Sequence, residues 1–172
     1  MKTVKVIDNF LEKEDYEKLR DIMSTNLSWY YNDYVTHPPK SSDNINYQFT
    51  HYFYRTNTGI DSDFFDYVVP LLNKLDMTVL LRCKANLNPK THENGQLGDY
   101  HSDYNFPFSK TAIFYVNTNN GFTSFEDGTK VDSVANRLVL FDTPLKHVGY
   151  SCTDENARTV INVNYIPNGY ES

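Results

Sequence analysis

Apolar and polar positions alternate over most of this chain, and only two stretches carry apolar residues at helical spacing. The first follows a short strand at residues 4–7. Tyr16, Leu19, Ile22 and Met23 recur on one helical face, with Glu12, Glu14 and Asp15 in the opening turns where acidic groups suit the helix dipole. The second sets Phe64, Phe65, Val68, Leu71, Leu72 and Leu75 in one stripe behind an Asp61 or Ser62 cap. Both stripes predict helices that cover a sheet.

The remaining pattern has period two. Residues 29–35 are aromatic and β-branched, and 37–44 form a Pro-containing loop, a candidate substrate lid. Over residues 47–56, Tyr47, Phe49, His51 and Phe53 face one way and Gln48, Thr50, Tyr52 and Tyr54 the other. Residues 77–88 repeat the alternation, with Leu81, Cys83, Ala85 and Leu87 opposed to Arg82, Lys84, Asn86 and Asn88. That polar face borders either solvent or a pocket. Residues 89–98 read as a loop, 111–116 as a buried strand, 117–121 as a turn, and 122–125 as the strand's returning partner. Strands at 129–133, 137–141 and 159–165 follow. Two helices and many short strands predict an α+β, mostly β chain whose sheets form a sandwich or open barrel, with the helices packed on from the N-terminal side.

Composition narrows this picture. At 172 residues and 20.0 kDa the chain fits one domain able to bury its own core. A net charge of −6 and a pI near 5.3 count against a protein that clamps nucleic-acid phosphates. Two cysteines, Cys83 and Cys152, are too few for a disulfide framework and are expected to be reduced and structural. No run approaches the roughly 20 apolar residues of a membrane helix, and the N-terminus lacks a signal-peptide core, so a cytoplasmic protein is expected.

Candidate chemistry centres on Tyr100-His101-Ser102-Asp103-Tyr104. On an extended strand His101 and Asp103 project from the same side and supply two thirds of a 2-His-1-carboxylate triad. The third ligand has to come from elsewhere. Further on, His147 ends a strand running into a turn, and Arg158 opens the apolar strand Thr159-Val160-Ile161. A guanidinium there needs a partner, and a carboxylate-bearing cofactor is one. His37, His51 and His92 lack partners at ligand spacing and read as structural or surface groups. Asp99 and Asp142 suit turn capping or support of the site.

With these elements in order, the chain resembles the Fe(II)- and 2-oxoglutarate-dependent oxygenases, in particular the small prolyl-4-hydroxylase-like branch carried by bacteria and their viruses. The resemblance rests on His-x-Asp, a hairpin with Tyr-Val-Asn and then Gly-Phe-Thr-Ser-Phe, a strand, His and Arg, over residues 82–165. Val6-Ile7-Asp8-Asn9-Phe10-Leu11 supports it as an opening. It implies a double-stranded β-helix (jelly-roll) core over residues 77–166 behind N-terminal strands and helices over 1–76. It further implies Fe(II) on His101, Asp103 and His147, and 2-oxoglutarate with its distal carboxylate on Arg158. Tyr115 matches a tyrosine that bonds that carboxylate, Thr123 a position beside the cofactor, and Asn162 replaces a frequent hydroxyl residue.

The family's Tyr-x-x-Gly lead-in is replaced by Asn86-Leu87-Asn88-Pro89 and a longer loop, which alters the inner contacts of 2-oxoglutarate and the acceptor pocket. Asn86, as a cofactor contact, and Lys84 become candidates for the missing polar contacts. The implied activity is oxidative decarboxylation of 2-oxoglutarate coupled to hydroxylation, with ascorbate as an auxiliary reductant and O2 as co-substrate. The acceptor would be a prolyl or other protein side chain, or a small molecule, bound by residues 29–46, 91–98 and 104–110. The implied setting is the cytoplasm of a bacterial or virus-infected cell. Two competing readings are oxidative demethylation of nucleic acid, against which the charge counts, and a non-enzymatic metal-binding β-helix module.

Overall fold

A computed structural model of the chain describes residues 4–36, 45, 47–104, 106 and 108–169. Twelve strands among these residues form two antiparallel sheets. In chain order they are β1 (Lys5–Ile7), β2 (Tyr30–Asn32), β3 (Gln48–Arg55), β4 (Gly59–Ile60), β5 (Met77–Pro89) and β6 (Gln96–His101). Then come β7 (Lys110–Tyr115), β8 (Phe122–Phe125), β9 (Lys130–Asp132), β10 (Arg137–Asp142), β11 (His147–Tyr150) and β12 (Ala157–Pro167). The larger sheet has the order β1-β10-β7-β12-β5-β3-β2, with β4 on β3, and the smaller runs β6-β11-β8-β9. The helices are α1 (Lys13–Thr25) and α2 (Val69–Asn73), the latter preceded by a 3-10 turn at Phe65–Tyr67.

The alternation in the sequence sorts side chains between two environments. From the larger sheet, Phe53, Cys83, Ala85, Ala112, Phe114, Ile161 and Val163 pack outward against Leu19 and Met23 of α1 and Leu71 and Leu72 of α2. Residues one step along the same strands, Ile113, Tyr115, Val139, Phe141 and Val160, point inward and meet Phe125, Val131 and Leu145. This inner core fills only one end of the space between the sheets. On β5 the inward positions are Arg82, Lys84, Asn86 and Asn88, and they line a cavity.

The N-terminal layer is held to the sheet by a reciprocal amide clasp. Leu11 N–H donates to Asn136 Oδ1 at 2.8 Å, and Asn136 Nδ2 donates to the Leu11 carbonyl at 2.9 Å. Asn136 adopts φ 60°, a left-handed conformation that asparagine tolerates better than most residues. No helix of the described residues is long and apolar enough to cross a membrane.

Several expectations need correction. The second helix is not continuous. Pro70 has no N–H to donate, so a 3-10 turn precedes a five-residue α-helix, and Ser62 Oγ accepts from Phe64 N–H instead of capping an α-helix. Of the aromatic and β-branched run at 29–35 only Tyr30–Asn32 is strand, and β3 carries a bulge between Tyr52 and Tyr54 that turns both Phe53 and Tyr54 toward the helix layer. Within 89–98 the chain is already strand from Gln96. The strand β8 is not the partner of β7. It crosses to the smaller sheet and pairs with β9 and β11, while β7 lies between β10 and β12. The proposed lid at 37–44 lies outside the described residues.

Candidate metal centre and cofactor cavity

The site forms where the end of β6 meets the start of β11. His101 is the last residue of β6 and pairs directly with His147, the first of β11, so their rings stand side by side with centroids 4.8 Å apart. Sequence reasoning placed His147 after a strand and missed β11, whose four residues include a glycine and give little alternation to read. Asp103 likewise lies beyond the strand, in a bend, so strand geometry does not orient it.

Contacts from the larger sheet orient Asp103 instead. Its Oδ1 lies 3.0 Å from Arg82 Nη2, and its Oδ2 accepts from Asn164 Nδ2 at 3.0 Å. The Arg82 contact is an ion pair lying off the N–H directions, because that nitrogen makes no hydrogen bond. His101 Nδ1 is 2.9 Å from the Asp99 carbonyl, which can only accept, so Nδ1 carries the proton and Nε2 keeps its lone pair. That Nε2 is 3.8 Å from Asp103 Oδ1. Ligand atoms of His101, Asp103 and His147 all lie within 4.8 Å of one another.

Electrostatics prepare these groups. Burial pushes the Asp103 carboxyl up, but Arg82, the two imidazoles and the Asn164 hydrogen bond outweigh it and hold the group well below the usual carboxylate range. Burial pushes His147 down to about 4, against the attraction of Asp103, so its imidazole is neutral near pH 7. Two imidazoles and an ionised carboxylate on one rim have the donor chemistry of a facial triad with open positions.

The triad opens onto a cavity of about 460 Å³. At the other end of it, Arg158 is buried, and burial lowers its pKa. Its Nη2 donates to Thr123 Oγ1 at 2.9 Å and its Nε to Ser133 Oγ at 3.0 Å, and Tyr115 OH donates to the same Thr123 Oγ1 at 2.8 Å. Its guanidinium carbon lies 5.6 Å from the Tyr115 ring centroid. Among the described residues no carboxylate lies within ion-pair distance of Arg158. Two glycines make room for it. A Cβ on Gly121 would come 2.9 Å from Arg158 Cδ and 2.7 Å from the Tyr150 carbonyl, and one on Gly149 would come 3.3 Å from Arg158 Nη1.

The structure therefore brings together His101, Asp103 and His147 at one end, Arg158, Tyr115 and Thr123 at the other, and Asn86, Lys84 and Asn162 along the wall between. Asn86 Oδ1, Asn88 Nδ2 and Asn162 Oδ1 are buried without a hydrogen-bond partner, as befits groups that face a ligand. Of the other histidines, His51 is structural, with Nδ1 2.8 Å from the Ser28 carbonyl and Nε2 2.7 Å from Ser62 Oγ. His92 is exposed, and His37 lies outside the described residues. Asp142 pairs with Lys110.

Sequence reasoning gave no role to Arg82, Asn164 or Ser133. Asn164 had a signal of its own, as a polar residue between Val163 and Tyr165, in step with Asn162 on the same strand face.

Comparison of the sequence with protein-family profiles and with curated proteins returns no match. Comparison of the fold with solved structures does. A prolyl-4-hydroxylase from Pseudomonas putida superposes with a TM-score of 0.64 at 13% identity, over 96% of this chain and 94% of that one. A prolyl hydroxylase from Trichoplax adhaerens, solved with a hypoxia inducible factor peptide fragment, gives 0.63 at 15% identity over 95% and 83%. The viral collagen prolyl hydroxylase of Paramecium bursaria Chlorella virus-1, solved as a 2-oxoglutarate complex, gives 0.57 at 13% over 96% and 97%. At these identities the likeness establishes the fold, and the two antiparallel sheets are the jelly-roll, or double-stranded β-helix, of these enzymes.

Proposed function

We propose that this chain is an Fe(II)- and 2-oxoglutarate-dependent dioxygenase that hydroxylates a C–H bond of an acceptor, acting in the cytoplasm as a single domain with residues 77–166 as its core. The observation that carries this reading is the pairing of two ends of one cavity. A donor set of two imidazoles and one ionised carboxylate stands on the rim, and a buried guanidinium without a carboxylate partner among the described residues stands inside.

In this reading His101, Asp103 and His147 hold Fe(II). Arg158 receives the distal carboxylate of 2-oxoglutarate in the paired geometry that guanidinium favours, with Tyr115 and Thr123 beside it and Asn86 and Asn162 along the diacid. With O2, the iron and 2-oxoglutarate together supply the oxidation R–H + O2 + 2-oxoglutarate → R–OH + succinate + CO2. The chain's own part is orientation and exclusion. Arg82 and Asn164 fix the Asp103 carboxylate, the Asp99 carbonyl fixes the His101 tautomer, and the inner core of Tyr115, Phe125, Phe141 and Val160 keeps the closed end dry.

Succinate release from 2-oxoglutarate tests the proposal, measured with Fe(II) and ascorbate in air and again after chelation. Turnover that needs iron and disappears in Asp103→Ala is the expected result. A protein that binds metal but turns over no 2-oxoglutarate under any condition would leave a metal-binding β-helix module as the function. The charge of −6 argues against a nucleic-acid acceptor, and salt-dependent retention on DNA would reverse that judgement.

A further inference from the structure

Lys84 is a buried cation in the cavity wall, on the strand that also carries Arg82 and Asn86. It is 8% exposed, faces the cavity from β5, and makes no hydrogen bond or ion pair to another described residue. Its neighbours across the sheet are Tyr52 on one side and Asn162 on the other, and its ammonium lies 5.8 Å from the Tyr52 ring centroid. Burial lowers its pKa to about 8, which leaves it mostly protonated near neutrality. A charge in such a wall is costly without a counter-charge.

Asp103 attracts the ammonium through space without forming an ion pair with it. Asp103 is engaged on both oxygens, by Arg82 and by Asn164. The distal carboxylate of 2-oxoglutarate belongs with Arg158, whose cross-strand neighbour Asn88 stands four residues further along β5 than Lys84, about 13 Å away at strand rise. Lys84 instead occupies the row next to that of Arg82 and Asn164, on the metal side of the cavity. Asn162, which borders both the diacid and this corner, has a buried amide oxygen that finds no donor in the protein.

We propose that Lys84, flanked by Tyr52 and Asn162, is the acceptor-recognition site, and that the acceptor is a small carboxylic acid carrying N–H donors, of the free amino-acid class. This rests on the dioxygenase reading and names its substrate class. A single ammonium matches one carboxylate, whereas a phosphate dianion would keep an uncompensated charge in the wall, since Arg82 is committed to Asp103. The unpartnered Asn162 oxygen accepts from the acceptor's amino group. The polar lining and a volume of about 460 Å³ fit the diacid together with a small polar molecule, within the roughly 300–1,000 Å³ common for ligand pockets.

The test is binding, read by calorimetry and thermal shift on the full chain loaded with Zn(II) and 2-oxoglutarate under air-stable conditions. The probes are the twenty free amino acids and their carboxamides, which lack the anion. At least one acid is expected to bind while its carboxamide does not. Lys84→Met is expected to weaken that acid by about tenfold to a hundredfold, the range of a charge-assisted hydrogen bond, and Lys84→Arg to retain part of it. A cooperative thermal transition close to that of wild type in both variants reports intact folding.

Equal affinity of an acid for wild type and Lys84→Met overturns the assignment. So does loss of 2-oxoglutarate affinity in a folded Lys84→Met, which would make Lys84 a cofactor contact, and so does a loaded wild type that answers no acid in the panel. Failure of wild type to bind 2-oxoglutarate at all would instead sink the dioxygenase reading.

Discussion

Asn164 Nδ2 donates to Asp103 Oδ2 across the site, from the larger sheet to the bend that follows β6, and the same nitrogen lies 3.0 Å from Thr111 Oγ1. One amide thus ties the only carboxylate of the triad to two strands of the opposite sheet. In Asn164→Leu the carboxylate keeps its charge but loses its aim. Metal affinity is expected to fall about 10–100-fold, the usual cost of removing such support. Competition against a chromogenic chelator measures it, and an unchanged affinity would show that Asn164 serves the strand alone.

Metal should also stabilise the fold through the triad. At a free Zn(II) concentration a hundred times the dissociation constant, binding adds about 2.7 kcal/mol. Calorimetric scans are expected to show the transition rise by several degrees in wild type, at about 2–4 °C per kcal/mol for a chain of this size, and to stay put in Asp103→Ala and His147→Ala.

Acid should unfold the metal-free protein in two stages. His147 titrates at about 4 when folded against an ordinary value of 6.5, so the unfolded chain takes up more protons between those values and stability falls as pH drops from 6.5 toward 4. At 1.36 kcal/mol per pH unit the loss is on the order of 3 kcal/mol. Asp103 is held low, so its contribution is complete above 3.8 and drains away below it. Urea titrations at a series of pH values should show the first stage in wild type and not in His147→Gln.

The pocket for the Arg158 side chain is as much a matter of glycine as of donors. Ala at Gly121 would set a methyl 2.7 Å from the Tyr150 carbonyl, 2.8 Å from Asn119 Oδ1 and 2.9 Å from Arg158 Cδ, two of them groups with little freedom to yield. Gly121→Ala is expected to cost about 1–3 kcal/mol of stability and to weaken 2-oxoglutarate without altering metal affinity. Arg158→Met should remove about 2–5 kcal/mol of 2-oxoglutarate binding, as deletion of one partner of a buried charge pair does. Isothermal titration of metal and diacid separately distinguishes the two effects.

What the residues disclosed in advance follows from which forces are local. Alternation along β5 and β12 and the helical stripe of α1 are set by neighbours in sequence, and they were legible, as were the ligand types at His101, Asp103 and His147. Pairing is not local. The Gly-Phe-Thr-Ser-Phe stretch looks like the return of a hairpin, yet its strand joins the other sheet, because the intervening turn crosses the sandwich. The spacing of His101 and Asp103 suggested a shared strand face. The strand stops at His101, and the carboxylate reaches the site through Arg82 and Asn164, which sequence reading had left without a role. Tyr115, Thr123 and Arg158 were named separately, while the hydroxyl through which they join, and the part of Ser133, needed coordinates.

The two faces of β5 give this protein separable routes of change. Replacing Arg82, Lys84, Asn86 or Asn88 alters what a bound molecule meets and leaves the oily layer under the helices untouched, whereas replacing Cys83 or Ala85 does the reverse. Drift at every second position can therefore retune selectivity while the scaffold stays as it is. A one-residue insertion ahead of the strand would exchange the two sets and ruin both at once.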